Sequence, residues 1–389
     1  MKTVKGIYAE AKIITDDVED YAEAQVKMIC DNEVAEGSII RLMPDIHPGK
    51  VGPIGLSMTV TDKIIPQLLG VDIGCGMTGA KLKKANIEFQ KLDKVIHEKI
   101  PSGFSVRKEP HHMAEEFSYE GLHCLGHINR ERADRSLGTL GGGNHFIELQ
   151  EDDNGYLAVM LHSGSRHFGK SVCDYFHTKA RELNRRWYSE VPDEYRLAFL
   201  PVDTKEGKQY LHWMQLSMDF ARENREKMLL AVKAILEKWI GKYTDLQLEF
   251  SGDINCHHNY AALENHFGKN VWVHRKGAVR AGNGELAVIP GAMGSYSYVV
   301  MGKGNPDSFC SSSHGAGRQY SRKGAMQAFT CEEVILDLQK TGVILGKKNK
   351  SDVAEESRFA YKNIEEVMDN QTDLVVPVKR LKTIGVIKG

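Results

Sequence analysis

The stretch YLAVMLHSGSR, Tyr156 to Arg166, sets an apolar run with little turn character directly against a histidine framed by serine and glycine. The run is short enough for a buried strand and too short for a core helix, and the small polar residues behind it are turn formers. The same grammar recurs along the chain. SIIRLM (38–43) leads into MPDIHPGK (43–50), LQLEF (246–250) precedes NCHHN (255–259), and ELAVIP (285–290) runs into further glycines. VWVHRKGAV (271–279) and SYSYVVM (295–301) read as two more strands, rich in β-branched and aromatic residues. Polar groups delivered from many strand ends to one place are how a rigid scaffold commonly assembles an active site.

Helices lie between these blocks. In Glu206–Ile240, residues Leu211, Met214, Met218, Ala221, Met228, Leu229, Val232, Leu236 and Ile240 share one face at the 3.6-residue period, the mark of a scaffold helix. Thr330 followed by Glu333 has capping-box spacing, so a second helix is predicted to begin there, with shorter ones over 20–34 and 88–99. No linker, long charge run or fixed-period repeat divides the chain. A single mixed α/β (α+β) domain over 1–389, a β-sheet core flanked by helices, is expected.

Composition narrows the function. No apolar run approaches the roughly 20 residues of a membrane helix, and MKTVKGIYAEAKI has no signal-peptide core, so a cytoplasmic protein without membrane contact is expected. The seven cysteines are scattered and never form a CxxC pair, which argues against both a disulfide framework and a zinc knuckle. A formal net charge of -1 excludes generic coating of nucleic acid, so a polyanion would have to meet a local basic patch.

GVDIGCGM, Gly70 to Met77, surrounds Asp72 and Cys75 with bare backbone at an entropic cost of about 0.5–1 kcal/mol per glycine. Taken alone, this reads as a tight turn or as a metal-binding carboxylate and thiolate. GGGNHFIEL, MLHSGSR and NCHHN each add a histidine at a strand end or beside glycines. The set Asp72, Cys75, His145, His162 and His258 offers N, O and S donors suited to borderline divalent ions such as Mn, Fe, Co or Zn, with the sulfur able to bridge two of them. In CSSSHGAGRQYSR (310–322), Gly315 and Gly317 clear space around His314, and Arg318 and Arg322 would aim at one anion if a helix started here. A nucleophilic imidazole beside arginines suits nucleotidyl transfer; solvated arginines at a helix start are the plainer alternative. In HRKGAVRAG (274–282), Arg275, Lys276 and Arg280 form either a phosphate patch or an exposed strand. Asp45 and His47 alternate on an extended segment, so the carboxylate is expected to orient that imidazole for acid–base work, beside a turn set by Pro44, Pro48 and Gly49. His111 and His112 lack glycine framing and read as surface.

The ordered blocks MPDIHPGK, GVDIGCGM, LGGGNHFIEL, MLHSGSR, INCHHNY, HRKGA, IPGAMG, FCSSSHGAGR, AYKNIEEV and the terminal IKG resemble the RtcB family of RNA ligases across essentially the whole chain. The resemblance implies the family's mixed α/β fold and GTP-dependent, Mn(II)-dependent joining of RNA 2′,3′-cyclic phosphate or 3′-phosphate ends to 5′-hydroxyl ends. It implies two Mn(II) ions on Asp72, Cys75, His145, His162 and His258, with Cys75 bridging, and His314 as the nucleophile that forms a His–GMP phosphoramidate. It implies nucleotide phosphate on Asn144 and Asn259, with Gly315 and Gly317 beside it, and guanine against Glu148, Ser297, Tyr361 and Lys388. Arg166, Lys276, Arg318 and Arg322 would hold phosphates, with Lys170 and Arg280 adding to the RNA grip, and Asp45 and His47 would handle the 5′-hydroxyl. Implied partners are RNA with broken ends, tRNA or another structured RNA, and an archease-type activator.

Two residues depart from the family pattern: Val51 stands where a glycine is expected, and Ala292 where a guanine-contacting serine is common, which implies looser GTP selectivity. The short chain implies a specialised paralogue, with repair and tRNA splicing both open. Two other readings of the residues stay open: a dinuclear metal phosphodiesterase or phosphatase acting on RNA ends, and a catalytically silent RNA-binding protein.

Overall fold

The computed structural model describes residues 1–82, 87–119, 128–240, 251–346 and 353–389. The strand expected at 246–250, and Cys124, lie outside the described residues. Among those described, two large sheets carry the architecture. A six-stranded sheet runs in the order Lys2–Lys5, Glu10–Ile13, Ile40–His47, Ile54–Val60, Lys269–Lys276, Asn259–His266. An eight-stranded sheet runs Ser251–His257, Gly76–Lys81, Leu157–Ser163, Phe146–Asp152, Val375–Lys388, Tyr296–Gly302, Leu286–Ile289, with Ile344–Gly346 added in parallel to Val375–Lys388. The mixed α+β class expected from the sequence is the class observed.

Helix Lys205–Ile240 is the scaffold its periodicity predicts. Its C-terminal half buries Met228, Leu229, Val232 and Leu236 against Ile147, Leu149, Val159 and Leu161 of the larger sheet. Its N-terminal half buries Tyr210, Trp213, Met214 and Phe220 against Phe168, Val172 and Phe176. Each such side chain contributes about 1.5–3 kcal/mol of hydrophobic free energy. Helix Asp20–Cys30 covers the smaller sheet through Ala22, Val26 and Ile29, against Ile13, Ile40, Leu42 and Met58. Helix Cys331–Thr341 starts on the capping box of Thr330 and Glu333.

Three differences from the sequence reading matter for the site. The run 271–279 breaks at Gly277 (φ 63). Lys269–Lys276 stays in the smaller sheet, while Ala278–Arg280 pairs with Ser311–Ser313 and so delivers His314. Helix Arg166–Arg186 was not anticipated, because its exposed face is strongly polar and its start is buried in a His/Gly-rich turn. The 14-residue strand Val375–Lys388 was also missed; Pro377 obscures it, and the ladder tolerates that proline beside a register shift. No helix among the described residues is long and apolar enough to cross a membrane.

Candidate active site

Antiparallel pairing gathers the predicted ligands. Gly76 pairs with Ser163 and with His257, and Phe146 pairs with His162, so Cys75, His145, His162 and His258 emerge at one end of the larger sheet. Glycine is required at the turn that holds Asp72 and Cys75. Gly74 has φ 74, and a Cβ there would sit 2.9 Å from Met218 Cα; at Gly76 it would meet the Cys256 carbonyl oxygen at 2.1 Å.

Two donor sets share Cys75: Cys75, His162 and His258, and Asp72, Cys75 and His145, each with ligand atoms within 4.8 Å of one another. Cys75 Sγ lies 3.3 Å from His162 Nε2 and 3.6 Å from His145 Nε2. His162 Nε2 is 3.4 Å from His258 Nε2, and His145 Nε2 is 3.3 Å from Asp72 Oδ2. His145 Nδ1–H donates to the Leu140 carbonyl at 2.9 Å and His162 Nδ1–H to the Asn144 carbonyl at 3.0 Å. Those bonds fix the tautomer that leaves each Nε2 lone pair facing inward. Burial holds His162 and His258 well below the ordinary histidine range, so both rings are neutral. Lone pairs and a thiol converge here with little to donate between them, and His258 Nδ1 is buried without a partner among the described residues. This donor set fits divalent transition metal with sulfur shared between two positions. Burial, with Asp72 adding, pushes the Cys75 thiol well up, and an ion would have to displace that proton.

His314 stands beside the cluster. Its ring centroid is 4.8 Å from that of His258 and 6.1 Å from the stacked ring of His47. The buried Asp45 Oδ2 accepts from His314 Nδ1–H at 2.6 Å, from His314 N–H at 2.9 Å and from Gly315 N–H at 3.2 Å. Burial pushes the Asp45 carboxyl up, but the charge and hydrogen bonds of His314 outweigh it and hold the group below its usual value. The expectation that the Asp45 carboxylate orients His47 is corrected. A register shift between Leu42 and His47 re-aims the carboxylate, and His47 Nδ1–H instead donates to the Asp45 carbonyl at 2.7 Å. Burial lowers His47 to about 4, so it too is neutral.

These groups open onto a cavity of about 380 Å3, the size of a small-molecule site. Asn144, Glu148, Asn259, Lys276, Gly315, Gly317, Arg318, Arg322, Tyr361 and Lys388 line it, as do Ala292 and Val51. Asn259 ties its rim together: Nδ2–H donates to the Asp72 carbonyl at 3.2 Å, and Oδ1 accepts from Gly277 N–H at 2.9 Å. Burial raises Glu148 to about 7, against the pull of Lys388; it accepts from Gln150 Nε2 at 2.6 Å. Burial lowers Lys276 to about 7; its Nζ donates to the Val51 carbonyl and, at 3.1 Å, to that of Gly52.

Some predicted residues sit elsewhere. Ser297 is buried behind the wall, its Oγ accepting from Gly291 N–H at 3.1 Å. Arg166 is turned away from the cavity: its Nε donates to Thr139 Oγ1 at 3.1 Å and Nη2 to the Gly103 carbonyl at 2.9 Å. Lys170 pairs with Asp174, and Arg280 with Glu285 at 3.4 Å, both outside the cavity lining. No helix runs through 314–321; the helix starts at Arg322. Arg318 instead faces Glu356 at 3.1 Å and Tyr361 Oη at 2.8 Å, while Arg322 stays exposed with its guanidinium against Gly143.

Three residues escaped the sequence reading. Buried Glu356 anchors Arg318, Tyr361 (2.7 Å) and Lys388 (2.9 Å), yet it stands in an ordinary polar segment. Arg225 and Asn224, mid-helix, clamp the ligand loops. Arg225 donates to the carbonyls of Gly74 (2.8 Å) and Ser163 (3.0 Å), and Asn224 to those of Thr139 and Gly164, each at 3.1 Å. The one signal was a polar pair interrupting the helix's apolar face between Ala221 and Met228.

The chain matches the family model described as "tRNA-splicing ligase RtcB" over residues 25–125 and 120–389. It is 35% identical over 374 residues to "RNA-splicing ligase RtcB" of Escherichia coli (strain K12), covering 90% of each chain. Over 466 residues it is 29% identical to "tRNA-splicing ligase RtcB" of Methanococcus maripaludis, covering 100% of this chain and 95% of the relative. Over 423 residues it is 30% identical to "RNA-splicing ligase RtcB" of Mycobacterium tuberculosis, covering 89% and 96% respectively. With this coverage, and with the motif residues gathered at one sheet end, the chain belongs to the RtcB family.

Proposed function

We propose that the protein is an RNA ligase that uses GTP to join an RNA 3′-phosphate, or a 2′,3′-cyclic phosphate opened to one, to a 5′-hydroxyl within a single catalytic domain. The observation that carries this reading is the Asp45–His314 pair set against a cluster of metal-ligating donors that share one sulfur. A hydrolase needs the cluster; a nucleotidyl transferase also needs a tautomer-locked imidazole beside it.

With its Nδ1–H held by Asp45, His314 presents the Nε2 lone pair. That atom attacks the α-phosphorus of GTP; the bond to the β-phosphate oxygen breaks, and pyrophosphate leaves. Asp45 stabilises the charge gained by the ring. The RNA 3′-phosphate oxygen then takes the guanylyl group from His314, and the 5′-hydroxyl displaces GMP. His47, neutral and with Nδ1–H committed to the Asp45 carbonyl, offers Nε2 to take the hydroxyl proton. Cys75, His162 and His258 would hold one Mn(II), and Asp72, Cys75 and His145 the other; bound there, the ions neutralise phosphate charge near the reacting groups. Glu148 accepts guanine N–H groups, with Tyr361 and Lys388 beside it, while Asn144, Asn259, Lys276, Arg318 and Arg322 hold phosphates. RNA with broken ends is the substrate, tRNA among the candidates, in a cytoplasmic setting and with an archease-type activator as partner. Incubating defined RNA ends with GTP and Mn(II) tests the reading: joined, GTP-dependent product supports it, and phosphate release without joining refutes it.

A further inference from the structure

Phe104 is 95% exposed, yet the backbone beneath it is pinned to the active-site loop. Gly103, at φ 64, turns the chain; its N–H donates to the Gly141 carbonyl at 2.8 Å, and its own carbonyl accepts from Arg166 Nη2 at 2.9 Å. Arg132 Nη2 donates to the Phe104 carbonyl at 3.3 Å, and Ser105 N–H to the Ser102 carbonyl at 3.1 Å. The loop so braced, Gly141–Gly143, leads into Asn144 and His145 and has the Arg322 guanidinium beside Gly143. Arg132 and Arg322 are exposed, and among the described residues neither meets a carboxylate. An aromatic ring held out on a fixed turn, with the Arg132 guanidinium on its own carbonyl, forgoes burial that a mobile tip could recover by folding inward.

We propose that Phe104 is a stacking platform for a terminal base of single-stranded RNA, with Arg132 and Arg322 on the adjoining phosphates. Every base offers a π-face, so such a platform grips ends of any sequence. The bracing of Gly103 means little order is lost on binding. Charge complementarity selects a polyanion over an apolar protein segment. The inference deepens the ligase reading and rests on it for the identity of the ligand.

The test uses the full chain and a short fluorescein-labelled single-stranded RNA carrying a 3′-phosphate, read by anisotropy without GTP. Phe104→Ala should weaken Kd about tenfold, Phe104→Trp should bind at least as tightly as the parent, and Phe104→Leu should recover little. Arg132→Gln should weaken binding and reduce the slope of log Kd against log salt by about one. Parental affinity in Phe104→Ala, or full recovery by Phe104→Leu, overturns the proposal. GTP labelling of the same variants is read separately. Loss of RNA affinity in Phe104→Ala, in a parent chain that takes no GMP, would sink the ligase reading and leave the platform standing.

Discussion

Asp45 Oδ2 sits 2.6 Å from His314 Nδ1 across 269 residues of sequence, and the same oxygen receives the backbone N–H of His314 and of Gly315. One carboxylate atom therefore sets the position, tautomer and charge tolerance of the proposed nucleophile. Asp45→Asn keeps the shape but can turn a donor toward Nδ1, moving the proton to Nε2. Guanylylation by GTP should slow by about 10²–10⁴-fold with GTP affinity changed only a few-fold, measured by single-turnover labelling and by nucleotide titration.

Cys75 belongs to both donor sets, whereas His145 and His258 belong to one each. Titration with Mn(II), followed by EPR or calorimetry, should find two ions on the parent chain. His145→Ala or His258→Ala should lose one, and Cys75→Ala should weaken both. Unaltered stoichiometry and affinity in Cys75→Ala would contradict the shared sulfur.

Burial raises Glu148 to about 7, so below that pH the carboxyl is protonated and cannot accept two guanine N–H groups. GTP affinity should fall about tenfold per unit as pH drops below 7, and Glu148→Gln should flatten that dependence while weakening GTP by about tenfold or more. Stability runs the opposite way. A folded-state value above the unfolded 4.5 favours the fold below pH 4.5 and is lost as pH rises through about 7. Thermal unfolding of Glu148→Gln without nucleotide should therefore decline less between pH 5 and 8 than that of the parent.

Arg225 is fully buried and holds Gly74, Ser163, Asn255 and His257 together. Arg225→Met strands those acceptors, so unfolding should become easier by about 3 kcal/mol and Mn(II) affinity should fall with it, read by denaturant titration and metal titration. Parental stability in this variant would show that the clamp is dispensable.

The donor set was legible because glycine is conspicuous: Gly74 and Gly76 mark where backbone meets backbone, and three further glycine-framed or strand-end histidines tip the thiol between them from a plain turn toward a ligand. His314 was legible for the same reason. Asp45 was recognised but given the wrong partner, since alternation along a strand predicts one face and cannot foresee the register shift that swings the carboxylate to a residue 269 positions away. Glu356 carries no local signal, and Arg225 only that of a charge set into the apolar stripe of its helix; their roles come from what the fold brings to them. Arg166 shows the converse. It looks like a phosphate ligand in sequence, but the fold uses its guanidinium on Thr139 and Gly103.

The central claim is that a tautomer-locked His314 takes the guanylyl group, and the direct measurement is incubation with α-labelled GTP and Mn(II), mapping of the label, and a chase with RNA bearing 3′-phosphate and 5′-hydroxyl ends. Acid-labile label should map to His314, vanish in His314→Ala, and discharge into joined RNA on the chase. A parent chain that stays unlabelled, or label that persists in His314→Ala, would contradict it.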